Sequence, residues 1–248
     1  TAFHQTMPRK AYLYGIDYKY YKKYKLRRYG FHGTSHRFVS AEVARMLGRD
    51  DLKMVICHLG NGSSMSAVVN GKCIDTSMGL TPLEGLLMGT RSGDLDPAVV
   101  GTIAERENMT ASEVVTMLNK SSGFIGLSGG LSNDWRDINN AAKAGDERGQ
   151  RTAEVWSYRI RKYIGAYAAA MNGLDVVVFT AGIGENSADA RKYVMTDCDW
   201  LGIKLDDARN NANETVISTD DSKVKVLVVP TNEELAIARD TLEIVSAL

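Results

Sequence analysis

A run of three short strands between Lys53 and Thr76 constrains the fold more than any other part of the sequence. KMVICHL has the composition of a buried strand, and after a glycine-rich turn SSMSAVVNGKCIDTS has the pattern of a β-hairpin. The hairpin turn is Asn70-Gly71, and an Asn-Gly pair between apolar runs is the strongest short-range hairpin signal. The segment therefore predicts three consecutive antiparallel strands.

Helices and single strands alternate along the rest of the chain. A helix after FHGTSH is expected to be capped by Thr34 or Ser35 and to end at Gly48. A strand meander followed by such alternation predicts an α/β or α+β domain with a mixed sheet flanked by helices. The other predicted elements are helices over 96–107, 110–118 and 150–171, a helix from about Ser187, strands over 175–180 and 223–230, and a last helix capped by Thr231 or Asn232.

The charge balance and the cysteine spacing argue against several classes of protein. Lys plus Arg equals Asp plus Glu, 30 each, so charge gives no reason to expect nucleic acid or a membrane as partner. No apolar run approaches the ~20 residues of a membrane span, and the first residues lack a signal-peptide pattern. The three cysteines, Cys57, Cys73 and Cys198, are odd in number and far apart, which favours a reduced, cytoplasmic protein without a zinc site.

One basic and aromatic stretch, Tyr12 to Tyr29, could be interpreted as a nucleic-acid strip. Four of its tyrosines recur at helical spacing, which favours a helix that packs its tyrosine face and solvates its lysines. These tyrosines are Tyr14, Tyr18, Tyr21 and Tyr24.

Three glycine-rich turns, each expected to follow a strand, could bring backbone N–H groups close to an anion. They are HLGNGSS at 58–64, SGGLSND at 128–134 and AGIGEN at 181–186. The last is neither a P-loop, because no Gly-Lys-Ser/Thr follows, nor a dinucleotide fingerprint, because the third glycine is absent. Three such turns on one chain favour a nucleotide held between opposing loops. His58, at the end of a strand, is either an anion contact or a satisfied interior histidine.

Charged candidates are few. Arg91 in MGTRSGDLDP suits a carboxylate or phosphate ligand, and a surface salt bridge to Asp94 or Asp96 is an equal alternative. His32 and His36 are four residues apart without the Glu of an HExxH metal site, so contact with an anion at the helix start is the better interpretation. The absence of a Gly-x-Ser-x-Gly elbow disfavours serine-hydrolase chemistry.

Five blocks of the sequence together resemble the acetate kinase and acyl kinase family. They are YGFHGTSH, CHLGNGSS, TSMGLTPLEGLLMGTRSGDLDP, FTAGIGENS and PTNEELAIA, and they occur in order along the whole chain. The resemblance implies an RNase H-like domain of the actin/sugar-kinase/Hsp70 nucleotide-binding fold, in which two domains close over ATP.

The resemblance also implies roles for individual residues. His32 and Arg91 correspond to two transition-state-stabilising residues, Glu233 to a magnesium-associated glutamate, and Phe31 and Pro82 to the pocket around the acyl methyl group. The implied nucleotide-binding residues are His58, Leu59, Gly60, Asn61 and Gly62 at the phosphates, Asp134, Trp135 and Arg136, and Gly182, Ile183, Gly184, Glu185 and Asn186 beside the adenosine.

The implied activity is transfer of the ATP γ-phosphoryl group to acetate, with ATP/ADP and a short-chain carboxylate as ligands, Mg²⁺ as cofactor and a homodimer as assembly. A propionate or butyrate kinase and a non-catalytic nucleotide-binding module stay open as alternatives. Because Thr1 matches a position just after a functional aspartate of the family, we expect residues 1–248 to be a single C-terminal domain that does not turn over alone. Its final helix, 232–248, is expected to pack on an N-terminal domain.

Overall fold

A five-stranded mixed sheet organises the chain. The structure, a computed structural model, describes residues 1–246. The strand order is β3-β2-β1-β4-β5. Strand β2 is antiparallel to both of its neighbours, β1 and β3, whereas β4 is parallel to β1 and β5 is parallel to β4. The predicted mixed sheet is confirmed. The strands are β1 Lys53–Leu59, β2 Ser63–Val69, β3 Lys72–Thr76, β4 Val176–Thr180 and β5 Lys225–Val228.

Helices cover both faces of the sheet. None of those described is long and apolar enough to cross a membrane. They are α1 Arg9–Tyr12, α2 Tyr18–Tyr24, α3 Gly33–Leu47, α4 Ala98–Arg106, α5 Ala111–Lys120, α6 Gly123–Leu127, α7 Trp135–Lys143, α8 Glu147–Met171, α9 Ala181–Asn186, α10 Ala188–Met195, α11 Asp207–Asn211 and α12 Glu233–Ser246.

The predicted hairpin is confirmed. Val69 pairs with Lys72, so the turn has two residues, and both have positive φ: 51° at Asn70 and 73° at Gly71. Positive φ at both central positions gives the turn a twist that matches the strands, and Asn and Gly adopt it at low cost.

Alternate residues of β1 enter two different hydrophobic clusters. Val55 and Cys57 pack with the face that α7 and α8 cover, whereas Met54 and Ile56 pack with the face that α3 covers. Successive side chains of a strand point to opposite faces, so a central strand with both faces buried is apolar throughout. This burial fixes where β1 ends, and the glycine-rich turn after it therefore has a fixed position.

Three local predictions are wrong. The N-cap of α3 is His32, at φ 56°, and neither Thr34 nor Ser35. Residues 181–186 form the short helix α9 immediately after β4, where a loop was expected. The 128–134 turn follows helix α6 instead of a strand.

The tyrosine-rich segment also differs from its prediction. Helix α2 has only seven residues, and Tyr18 and Tyr24 are 48% and 57% exposed, so no tyrosine face is packed. Tyr14 lies outside the helix and donates a hydrogen bond to Glu84 at 2.6 Å. Lysine ammonium groups lie over several of the exposed rings, and such cation–π contacts stabilise the rings at the surface.

The last helix begins as predicted. The side chain of Asn232 accepts a hydrogen bond from the Leu235 N–H at 2.8 Å, which satisfies one free donor of α12. The helix is described to Ser246, and the last two positions of the predicted range 232–248 lie outside the described residues.

The packing of α7 on α8 depends on a glycine. A Cβ at Gly149 would lie 2.5 Å from the Ala142 nitrogen, whereas a Cβ at Gly101 in α4 meets nothing within 4 Å. We expect Gly149→Ala to lower the free energy of unfolding by about 1–3 kcal/mol. The same substitution at Gly101 should raise it by up to about 1 kcal/mol, because alanine is the better helix former. Urea unfolding measures both, and stabilisation by Gly149→Ala would contradict the packing.

Candidate active site

The turn after β1 connects two parts of one site. The hydroxyl of Ser63 accepts from the Gly60 N–H at 3.2 Å and donates to the Gly60 carbonyl at 2.8 Å, which holds the turn closed. Gly60 and Asn61 line a cleft, and Gly62 faces His32 and Arg91. One short turn therefore reaches from the cleft to His32 and Arg91.

The cleft has a volume of about 840 Å³ and lies between the β1 turn, the start of α7 and helix α9. That volume falls within the usual range for a small-molecule site, about 300–1,000 Å³. Most of the predicted nucleotide-binding residues line it, namely Gly60, Asn61, Asp134, Trp135, Arg136, Gly182, Ile183 and Asn186. Sequence reasoning missed six further lining residues, Asn139, Asn140, Ser187, Ala188, Asp189 and Asn211.

The other predicted nucleotide-binding residues do not line the cleft. Leu59 is fully buried because the alternation of β1 directs it into the core, and His58 is 8% exposed beside His32. Gly184 is buried: a Cβ there would lie 3.4 Å from the Phe179 backbone. These residues lie in the interior, behind the residues that line the cleft.

Glu185 joins the ends of β4 and β5. Its carboxylate accepts from the Ala181 N–H at 2.7 Å and from the Thr231 N–H at 3.1 Å. Ala181 has φ 64°, a conformation that costs a non-glycine residue energy and here is held by this bond. Glu185 therefore fixes the start of α9 and the approach to α12, where Glu233 lies exposed.

His32 is held by its backbone, a hydrogen bond and a ring contact. It occupies the left-handed region at the start of α3, so its side chain leaves the helix towards the β1 turn. Its Nδ1 lies 2.9 Å from Ser64 Oγ, and its ring stacks on His58 with centroids 4.1 Å apart. The positive end of a fifteen-residue helix also lies here, which favours an anion.

Arg91 has no acidic partner. Among residues 1–246 it forms no ion pair, so the predicted alternative of a salt bridge to Asp94 or Asp96 is wrong. Its Nη1 makes only long contacts, to the Pro82 carbonyl at 3.4 Å and to Met88 Sδ at 3.5 Å. Asp94 instead lies 3.5 Å from Arg159. The guanidinium is thus placed with most of its donors available to a ligand.

The loop that carries Arg91 rests on the start of α6 and the residue before it. Phe124 N–H donates to the Met88 carbonyl at 2.8 Å and Ser122 N–H to the Thr90 carbonyl at 3.0 Å. A Cβ at Gly123 would lie 2.1 Å from the Met88 oxygen, so this close approach requires glycine.

His32 and Arg91 converge on one point. A Cβ placed on Gly62 would lie 3.5 Å from both His32 Nε2 and Arg91 Nη1. Phe31 precedes His32 in the chain and Pro82 contacts Arg91, so the two predicted acyl-pocket residues flank this point, both half-buried. A small anion at Gly62 would meet two nitrogen groups at once.

All four histidines of the chain form one cluster, in which His4, His36 and His58 are buried and His32 is half-buried. His4 packs on His36, and His58 contacts both His36 and His32. Burial, together with the charge of Arg91, lowers the pKa of His32 to about 4. Burial also lowers the pKa of His4 to about 4, that of His58 to about 3, and that of His36 well below its ordinary value. With these lowered pKa values the histidine rings are neutral at pH 7. The described residues contain no group of three or more side chains that could hold a metal ion.

Comparison with known proteins identifies the family. The sequence model of the acetokinase family matches residues 1–239, and the chain belongs to that family. It is 60% identical over 254 residues to acetate kinase of Thermotoga maritima, covering 100% of this chain and 63% of that protein. The chain therefore spans less than two thirds of this relative's length.

Solved structures agree with this assignment. The crystal structure of Porphyromonas gingivalis acetate kinase superposes with a TM-score of 0.95 at 49% identity, over 99% of this chain and 62% of that one. A propionate kinase from Francisella tularensis gives 0.92 at 44% identity, over 96% and 62%. The family and the fold predicted from the sequence blocks are confirmed.

The neutral histidine cluster predicts a pH dependence of stability. The unfolded chain takes up protons on its histidines near pH 6.5, whereas the folded chain keeps them neutral, so the free energy of unfolding should fall as pH is lowered. The loss should be about 1 kcal/mol per histidine between pH 7 and 5.5. Urea unfolding over this range measures it, and His58→Gln should remove about one quarter of the slope. A flat profile would contradict neutral burial.

Proposed function

We propose that this chain supplies the nucleotide site and the phosphoryl-transfer groups of an acetate kinase, which transfers the γ-phosphoryl group of ATP reversibly to acetate. The observation that carries the proposal is the β1 turn. Gly60 and Asn61 line the nucleotide-sized cleft while Gly62 lies beside His32 and Arg91. A nucleotide in the cleft with its phosphates along this turn would present its terminal phosphoryl group to both nitrogen groups.

Different parts of the cleft suit the adenosine and the phosphates of the nucleotide. We assign the adenosine to the side formed by α9, where Gly182 is exposed and has no neighbour within 4 Å of a built Cβ. The phosphates follow the backbone of the β1 turn, whose glycines permit close approach. Asn139 and Asp189, which are hydrogen-bonded to each other at 2.9 Å, form a polar wall of the same cleft.

The reaction needs little acid–base help. Acetate is ionised at neutral pH, so one carboxylate oxygen forms a bond to the γ-phosphorus while the bond to the β–γ bridging oxygen breaks and ADP leaves with that electron pair. The difficulty is the mutual repulsion of two anions. Arg91 orients the carboxylate and offsets charge on the transferring group, and the neutral ring of His32 donates a hydrogen bond to it.

The residues present fit a Mg²⁺ ion that binds mainly to the nucleotide phosphates. It is usually held by one or two carboxylates together with phosphate oxygens and water, and a dedicated protein cage is unusual. Glu233, exposed at the start of α12 next to the Glu185–Thr231 link, would supply one carboxylate. The bound ion would neutralise phosphate charge.

Propionate or butyrate is the alternative acceptor. The propionate kinase that superposes on this chain at 44% identity supports it, and Phe31 and Pro82 form part of the pocket in which acyl length would be sensed.

We further propose the assembly and location that the family resemblance implies. More than half of the surface of Ile237, Leu242 and Ile244 on α12 is exposed, which supports packing of this helix on another domain. The exposed aromatic rings of Tyr158 and Trp200 support a homodimer contact. The three buried free cysteines are compatible with a reducing, cytoplasmic location.

Removing the guanidinium tests the transfer step. Arg91→Ala should lower kcat about a hundredfold or more while the Kd for ATP changes less than about threefold, because the charge acts on the transferring group. Arg45→Ala, which removes an exposed arginine of α3, is the surface control. The assay couples ADP production to a change in absorbance. It uses the complete natural protein that contains this chain. Near-normal turnover by Arg91→Ala would refute this role.

Filling the space beside Gly182 tests the nucleotide assignment. Gly182→Val should leave the free energy of unfolding within about 0.5 kcal/mol, since nothing surrounds the site, yet raise the Kd for ATP about tenfold or more. Gly15→Val is the matched control, because a Cβ there also meets nothing and the site is elsewhere. Isothermal titration with ATP decides, and unchanged affinity in Gly182→Val would place the adenosine outside this cleft.

A further inference from the structure

A serine hydroxyl links two histidines behind the point at Gly62. Ser64, fully buried on β2, has its Oγ 2.9 Å from His32 Nδ1 and 2.8 Å from His36 Nε2. Both distances are those of hydrogen bonds. Ser64 carries one proton, so it donates to one ring and accepts from the other.

The surroundings of His36 determine which group donates in each of these two hydrogen bonds. His36 is fully buried, and its Nδ1 has no hydrogen-bond partner among the described residues. Burial keeps the pKa of this ring low, so the ring is neutral and carries one proton. If Nε2 accepted from Ser64, that proton would lie on Nδ1 as a buried N–H without an acceptor. Orphaned buried N–H groups are rarer than buried lone pairs without a donor.

The opposite direction satisfies the donors of both His36 and Ser64. His36 Nε2–H donates to Ser64 Oγ, and the Ser64 hydroxyl then donates its proton to His32 Nδ1. His32 must therefore carry its own proton on Nε2, the atom that lies 3.5 Å from the Gly62 point.

We propose that Ser64 and His36 are positioning residues that hold His32 in the tautomer with its proton on Nε2, an inference that rests on the proposed phosphoryl transfer at Gly62. In this tautomer His32 and Arg91 both present N–H groups to the same point. In the other tautomer a lone pair would face the phosphoryl oxygen and repel it. The tautomer therefore determines whether His32 helps or hinders the transfer.

A second contact fixes the plane of the ring. His32 stacks on His58 at an interplanar angle of 16°, and the Nδ1 of His58 is hydrogen-bonded to Ser35 Oγ at 2.8 Å. The stack limits rotation of the His32 ring, and the Ser64 bond selects its proton position. Together they preorganise a neutral donor beside a cation.

The tautomer can be measured directly without any variant. In the ¹⁵N-histidine-labelled chain at pH 7, long-range ¹H–¹⁵N correlation spectra distinguish protonated from unprotonated ring nitrogens. We expect His32 and His36 both to be protonated at Nε2 and unprotonated at Nδ1. A His32 protonated mainly at Nδ1 would overturn the proposal, whatever the activity.

Variants at His36 test the coupling. His36→Gln keeps an N–H near the place of Nε2, whereas His36→Leu has similar bulk and no donor. We expect His36→Leu to lower kcat about tenfold to a hundredfold with KM for ATP and acetate nearly unchanged, and His36→Gln to recover most of the loss. The ¹⁵N spectrum of His36→Leu should show a mixture of His32 tautomers. Equal kcat in the two variants, with the His32 tautomer unchanged in both, would refute the coupling.

The two proposals fail in different ways. If the spectra show the expected tautomer but the complete protein transfers no phosphoryl group to acetate, the relay stands and the proposed function fails. If transfer occurs while His32 carries its proton on Nδ1, the function stands and the relay is refuted.

Discussion

The structure depends on holding the Arg91 guanidinium close to the neutral ring of His32, without a carboxylate among the described residues to neutralise the cation. An arginine in a folded protein usually acquires an acidic partner, yet among the described residues the Arg91 side chain makes only long contacts, to a carbonyl and to a sulfur. Its position is maintained by backbone contacts instead, with Gly123 pressed against Met88 and the flanking carbonyls bonded. The backbone contacts thus position Arg91 in place of an ion pair, and its charge stays available for a ligand.

A second arginine, beside the cleft, is also held without an acidic partner among the described residues. Arg191 is fully buried and, among the described residues, has no acidic partner. Its guanidinium donates to the carbonyls of Gly184 and Glu185 at 2.9 and 3.0 Å, at the end of α9, and to Asn210. Burial lowers its pKa to about 10, so the group stays charged at neutral pH. Carbonyl groups at a helix end carry partial negative charge, which explains how the cation is stabilised while it holds the cleft wall in place.

Much of the sheet could be predicted from the sequence because its signals are local. The Asn70-Gly71 turn and the apolar run of β1 each specify a conformation within a few residues. Helix α9 could not be predicted, because two glycines in six residues favour a loop. The helix is stabilised by Glu185 and Arg191, which also bond to Thr231 and Asn210, residues distant in the sequence. The cap at His32 was missed for a related reason: a left-handed histidine is chosen by its tertiary contacts, whereas Thr34 and Ser35 have the better local propensity.

The residues of the candidate site likewise differ in whether the sequence gives a local signal for them. Glycine turns revealed Gly60, Asn61 and Gly182, since close backbone approach leaves a signal in the sequence. Asn139 and Asp189 left no such signal, because they belong to two separate helices and meet only after folding.

The position of the whole site follows from strand direction. β1 and β4 run parallel side by side, with His58 paired to Thr180 at their carboxyl ends, so the turn after β1 and helix α9 after β4 must leave the sheet at the same edge. Ligands of open α/β sheets bind outside such carboxyl ends. His32 and Ser64 reach this edge from α3 and from the start of the antiparallel β2, which brings the proton-positioning groups behind the turn while the cleft opens in front of it. The mixed sheet therefore allows one turn to have the cleft on one side and the histidine cluster on the other.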